Sequence, residues 1–144
     1  MSIQQDLFTD LKTQLQARIT QGYIKTWQFN RKNIIWTVDQ FPVAICYPAR
    51  INIETYVAVP KQKMIEMVFM VSGKVTNTDP NTLELKIQEM DEKLKNACEF
   101  SLQLTNGATI TNIGVSQFNW INDTIGETVF EVIVTSNRFT SGSR

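Results

Sequence analysis

Hydrophobic positions near the start of the chain repeat every three to four places, at Ile3, Leu7, Phe8, Leu11, Leu15 and Ile19. That spacing puts them on one face of an α-helix, with Gln4, Asp10, Lys12, Gln14 and Gln16 mostly opposite. Ser2 followed by Gln5 has the form of a capping box, and Gly22 suits the far end. From Asn33 the period changes to that of strands. Residues 34–38 predict one strand and residues 41–47 another, with Pro42 at its start, where a missing N–H is tolerated. Residues 51–59 alternate at first and turn apolar at the end. After the polar break at 60–63, residues 64–75 predict the longest strand. In it Ile65, Met67, Phe69, Val71 and Val75 share one face, while Glu66, Ser72 and Lys74 share the other. Two strands joined by a short polar break predict an antiparallel hairpin.

Asp79 and Pro80 open the best-marked element. Asp79 is suited to cap a helix, and the proline has the fixed φ and absent donor that its first position tolerates. Leu83, Ile87, Met90, Leu94 and Ala97 then repeat as a narrow apolar seam. Glu89 with Lys93 and Asp91 with Lys95 are spaced for i,i+4 pairs on a solvated face. Asn106-Gly107 predicts a turn, and two strands follow at about 113–121 and 127–138, around the 122–126 turn. In the last strand Phe130, Val132 and Val134 make one apolar face, and Val129, Glu131, Ile133 and Thr135 a mixed one. The order is helix, strands, helix, strands. It predicts a single α+β domain over 3–139: a mainly antiparallel sheet of five to six strands carrying an N-terminal helix and one central helix. Residues 140–144 read as a flexible tail.

Composition narrows the chemistry. The chain has no histidine, which removes Ser-His-Asp and Cys-His nucleophile systems and every His-containing metal site. Cys46 and Cys98 stand apart in apolar surroundings and read as reduced core residues, a disulfide being the minor alternative. The carboxylates Glu84, Glu89, Asp91, Glu92 and Glu99 are interleaved with lysines, so a paired-acid site is not expected. Neither phosphate-cradling glycine motif occurs, and Ser72-Gly73-Lys74 is a chance fragment within a strand. The expectation is a non-enzyme without cofactor, metal or catalytic residue.

Fourteen basic residues balance fourteen acidic ones, so no net field draws the chain to nucleic acid. One segment argues the other way: Tyr23, Lys25, Trp27, Phe29, Arg31 and Lys32 mix aromatic and basic side chains as single-strand binders do. Aromatic packing against the sheet explains the same residues and is the preferred reading. The start lacks a signal-peptide pattern and no run of apolar residues is long enough to span a bilayer, so the expected setting is the cytoplasm without membrane contact.

The sequence of elements resembles the tail terminator proteins of tailed bacteriophages. The resemblance rests on the N-terminal amphipathic helix, the strand led by Phe41-Pro42-Val43-Ala44-Ile45, and the long strand with Phe69-Met70-Val71. To these it adds the single helix across the sheet and the closing Val129-Phe130-Glu131-Val132-Ile133-Val134. The longer 23–33 segment departs from the pattern. The resemblance implies a homo-oligomeric ring, typically a hexamer, that caps the tail tube and forms the head–tail joining surface. Its partners would be itself, the tube protein and a head-completion or connector protein, met in the host cytoplasm and then in the virion. Predicted exposure nominates Tyr23, Lys25, Trp27, Arg31, Arg50, Lys61, Lys63, Asn122 and Asp123 as assembly contacts. Alternatives are another phage neck or tail-completion connector, or a small nucleic-acid-binding or ligand-binding module.

Overall fold

A computed structural model describes residues 3–20, 22–57, 62–100 and 108–139. Helix α1 (Ile3–Arg18) and helix α2 (Pro80–Phe100) lie on one face of a six-stranded sheet, an α+β architecture. The strands are β1 (Thr26–Gln28), β2 (Val43–Val57), β3 (Gln62–Thr76), β4 (Ala108–Ile113), β5 (Gln117–Trp120) and β6 (Ile125–Phe139). Their order is β1-β2-β3-β6-β4, with β5 pairing the other end of β6. Every pairing is antiparallel except β1 with β2.

Both helices form where the apolar periodicity places them. Ile3, Leu7, Leu11 and Leu15 of α1 are buried, and so are Leu83, Ile87, Met90, Leu94 and Ala97 of α2. Asp79 caps α2 as its composition predicts: Oδ2 accepts from Thr82 N at 3.1 Å and from Thr82 Oγ1 at 2.6 Å. These bonds hold the Asp79 carboxyl below its usual range, the side-chain bond from Thr82 most of all. Gly22 does not abut α1. It occupies a turn closed by Tyr23 N to Thr20 O at 3.0 Å, at φ 86°, a conformation that favours glycine.

Two glycines set how closely α2 approaches the sheet. A Cβ on Gly73 of β3 would lie 2.2 Å from Met90 Cγ, and one on Gly126 of β6 would lie 2.3 Å from Ile87 Cδ1. The helix rests on bare backbone at both points. The fragment Ser72-Gly73-Lys74 is thus a packing device.

Several strand boundaries differ from the sequence pattern. The strands expected at 41–47 and 51–59 are one strand, β2, with register shifts at Pro48/Arg50 and Ile51/Ile53. Pro48 stands at the first irregularity, where a strand tolerates the missing donor. The strand expected at 113–121 is two, β4 and β5, broken at Gly114. No strand forms at 34–38, although its residues are apolar. Parallel strands need a crossover of roughly a dozen residues or more, and β1 and β2 are parallel; residues 29–42 are that crossover. The Ser2 cap, Lys61, the Asn106-Gly107 turn and the 140–144 tail lie outside the described residues.

Candidate functional site

The crossover 29–42 runs over the sheet face that carries no helix. Its two ends are tied together: Lys25 N and Thr26 N donate to Pro42 O at 2.9 and 3.3 Å, and Thr26 Oγ1 donates to Gln40 O at 2.8 Å. Such a compact surface loop with joined ends is an Ω-loop. Gln28, at the end of β1, holds its first turn. The buried amide Nε2 donates to Asn30 O at 3.1 Å, Asn30 Oδ1 at 3.0 Å and Lys32 O at 2.7 Å. Arg31 donates to Pro48 O and lies 4.8 Å from the Tyr47 ring centre, pinning the loop to β2. At its far end Thr37 Oγ1 donates to Asp39 Oδ1 at 2.6 Å, which holds that carboxyl low.

Between loop and sheet lies a cavity of about 410 Å³. Gln28, Arg31, Lys32 and Lys74 give it a polar rim, and Ile45, Tyr47, Met70 and Val129 an apolar floor. A smaller cleft of about 220 Å³ joins Ile34, Ile35 and Trp36 of the loop to Ile121 and Asn122 beside the β5–β6 turn. Nearby apolar side chains are open to solvent. Ile35 is 96% exposed, Val115 94%, Phe118 50%, Trp120 43% and Ile121 48%.

The residues nominated from sequence divide into separate groups. Tyr23 clasps α2: its hydroxyl donates to Glu89 Oε1 at 3.0 Å, and Lys93 Nζ sits 4.7 Å from its ring centre. Burial first, and the Glu89 bond second, push its phenol above the usual range. Trp27 stacks on Phe29 with ring centres 5.8 Å apart, and Phe29 meets Phe8 edge-on at 6.5 Å. Lys12 caps this group, 4.6 Å from the Phe8 ring. These aromatics pack against the core on the helix side, as the preferred sequence reading expects. Lys25 is exposed on the turn before β1. Arg50, on the opposite sheet face, pairs with Glu131 at 2.7 Å across β3 and donates to Asn52 Oδ1 at 3.0 Å.

Lys63 belongs to β3 and not to the break before it, opposite Tyr56 and Arg138 in register. Asn122 and Asp123 are exposed on the turn between β5 and β6. There Asn122 Oδ1 accepts from Thr124 N and Ile125 N, each at 2.9 Å, so its side chain shapes the turn. Asn122 is thereby brought beside Ile35 of the Ω-loop, a juxtaposition of residues far apart in sequence.

Asp91 corrects the solvated-face expectation for α2. It is 8% exposed, and its Oδ1 accepts from Ser116 Oγ at 2.5 Å and Thr128 Oγ1 at 2.8 Å. Lys95 Nζ stands 3.8 Å from Oδ2. The carboxylate is a structural tie between α2, β6 and the break after β4. Cys46 and Cys98 are free and buried. Burial is the main cause that raises both thiols, Cys98 to about 12.

Among the described residues no group of three or more Cys, Asp or Glu side chains is placed to hold a metal ion. No helix among them is long and apolar enough to cross a membrane. No protein-family model matches the chain, and no curated protein matches it.

Proposed function

We propose that this chain is a structural assembly protein of the phage tail terminator kind, which associates with its own copies into a ring and caps a tail tube. The observation that carries the reading is the exposed apolar set on and beside β5. Phe118, Trp120 and Ile121 are about half exposed, and β5 pairs only with β6 among the described residues. An edge strand with unpaired backbone groups and open aromatics is a surface made for another chain. The opposite edge of the sheet is β1, a short strand paired on one side. A contact between two different edges of one chain is heterologous, and repeated around an axis it closes into a ring. A closed ring removes the growing end of a tube without any catalytic step, which agrees with a chain that has no histidine.

Size-exclusion chromatography with light scattering, alone and with purified tail tubes, tests the reading. A ring of several copies that binds tube ends is the expected result. A protein that is monomeric by itself and stays monomeric beside tubes overturns it.

A further inference from the structure

Two free edges of the sheet lie at one level. In register, Trp27 of β1 stands opposite Ala44, Ala44 opposite Gly73, Gly73 opposite Thr128, and Thr128 opposite Phe118 of β5. The adjacent row runs Thr26, Val43, Lys74, Glu127 and Asn119. A row of strands thus begins at β1 and ends at β5. Along it β2 keeps the sense of β1, β3 reverses it, β6 restores it and β5 reverses it again, so β5 runs antiparallel to β1. A rotation about an axis along the strands preserves these senses. It brings β5 of one copy beside β1 of the next as an antiparallel pair, the commoner of the two pairings.

The side chains of the two edges fit each other. Residues in register share a face of the sheet. Gly73 lies against Met90 and Thr128 donates to Asp91, so Trp27 and Phe118 stand on the face that carries the helices. Trp120, in register with Gly126 beneath Ile87, stands there too. Phe118 and Trp120 are about half exposed. Beside Trp27 opens a hollow of about 240 Å³, lined by Gln16, Ile19, Thr20, Gly22 and Ile24. No described residue of β2 lines it, so it opens on the outer side of β1. One edge carries apolar knobs and the other a hole.

The segments that build these edges divide charge in the same way. From residue 11 to residue 38 the chain carries Lys12, Arg18, Lys25, Arg31 and Lys32 and no carboxylate. From 96 to 137 it carries Glu99, Asp123, Glu127 and Glu131 and no cation. Glu131 is met by Arg50 and Glu127 by Asn119, whereas the exposed Asp123 has no ion-pair partner among the described residues. Lys25 is exposed as well, and it is the weakest of the influences on Asp39. Opposite charge favours unlike edges meeting and opposes the pairing of like ones.

We propose that, in the ring on which this inference rests, β5 of each copy adds to β1 of the next, so that the sheet runs on from copy to copy. Phe118 lies beside the neighbouring copy's Trp27, Trp120 enters the hollow next to it, and Asp123 faces Lys25.

Light scattering and cross-linking of the full chain test the contact. Asp123→Lys and Lys25→Asp, each alone, should weaken self-association by at least about tenfold, and the two together in one chain should restore it. Thr26→Cys with Asn119→Cys gives a second readout. Within one chain these positions are four strand spacings apart, roughly 19 Å. A disulfide spans no more than about 7 Å between Cα atoms, so any bond between them joins two copies. Oxidised and separated without reductant, this variant should give a ladder of multimers ending at the ring. Thr26→Cys with Asn112→Cys, at the other end of the same edge, should give none. A ring that forms without the ladder, that links equally through Asn112, or that ignores the charge exchange overturns this contact and leaves the ring reading standing. A chain that is monomeric throughout overturns both.

Discussion

Asp91 and Thr128 meet at 2.8 Å in the interior, a helix carboxylate accepting from a hydroxyl that has no exposed surface at all. Ser116 donates to the same oxygen at 2.5 Å. One atom thus joins α2, β6 and the kink between β4 and β5. Asp91→Ala leaves the Thr128 hydroxyl buried without a partner, which costs about 1–3 kcal/mol. Urea unfolding measures it, and a change below about 0.5 kcal/mol would show that the tie is dispensable.

The bare backbone at Gly73 gives a second expectation. Gly73→Ala drives a methyl into Met90, and overpacking of this kind destabilises by about 1–3 kcal/mol. Met90→Ala opens a cavity when made alone. Made together the two substitutions should cost less than the sum of their separate effects, because the new methyl fills space that Met90 vacates. Additive losses in a double-mutant cycle would mean that the contact does not limit how α2 sits.

The Arg50–Glu131 pair should matter little to stability. Its side chains are 53% and 39% exposed, and pairs in such surroundings contribute about 0–1 kcal/mol. Arg50→Ala is therefore expected to shift the unfolding midpoint by no more than about 4 °C. A large shift would reveal that the bridge shields the buried Val68 beneath it more effectively than its exposure suggests.

Thiol chemistry reports on the core from the inside. Cys46 and Cys98 are buried and their thiols are raised, Cys98 to about 12. The thiolate is the reactive form, so neither should be labelled by a disulfide reagent at pH 8 in the folded protein. Both should react at once in denaturant. The same shift has a pH sign. Because the folded pKa of Cys98 exceeds the ordinary thiol value of 9.0, its contribution to stability is complete below pH 9 and is lost as pH rises toward about 12. Unfolding midpoints measured from pH 8 to 11 should fall, and a Cys98→Ala variant should fall less steeply.

The edge strand supplies the last expectation. Trp120→Lys places a charge among open aromatics without disturbing a buried group. Self-association measured by light scattering should weaken by at least about tenfold, while the unfolding midpoint of the monomer stays put. Unchanged association would remove β5 from the contact.

The helices, the Asp79 cap of α2 and the β2–β3 hairpin were legible because their signals are local. A three-to-four residue period, an Asp-Pro start and a polar break each declare themselves within one element. The Ω-loop was not legible. Residues 34–38 carry strand-like side chains but fall in the crossover set up by the parallel pairing of Thr26 with Val43, a relation across the loop that no local signal shows. Asp91 hid for a similar reason. Its i,i+4 lysine is visible in the sequence, but its hydroxyl partners are 25 and 37 positions downstream. The buried Gln28 combines both difficulties, since a glutamine in an aromatic-basic stretch announces neither burial nor an unmet acceptor. Gly73 did offer a signal: a glycine inside a long apolar strand marks close approach by another element.

The joined ends of the Ω-loop bear on how such a protein can change over generations. Pro42 O is held by the backbone at the start of β1 and Gln40 O by Thr26, so residues 30–39 hang from a clasp that does not need them to close. Insertions, deletions and new side chains within that span leave the helices and the long strands untouched. The scaffold can thus stay constant while the cavity floor acquires a different roof. A lineage carrying this fold could reshape the surface of that sheet face by rewriting one short passage of its gene.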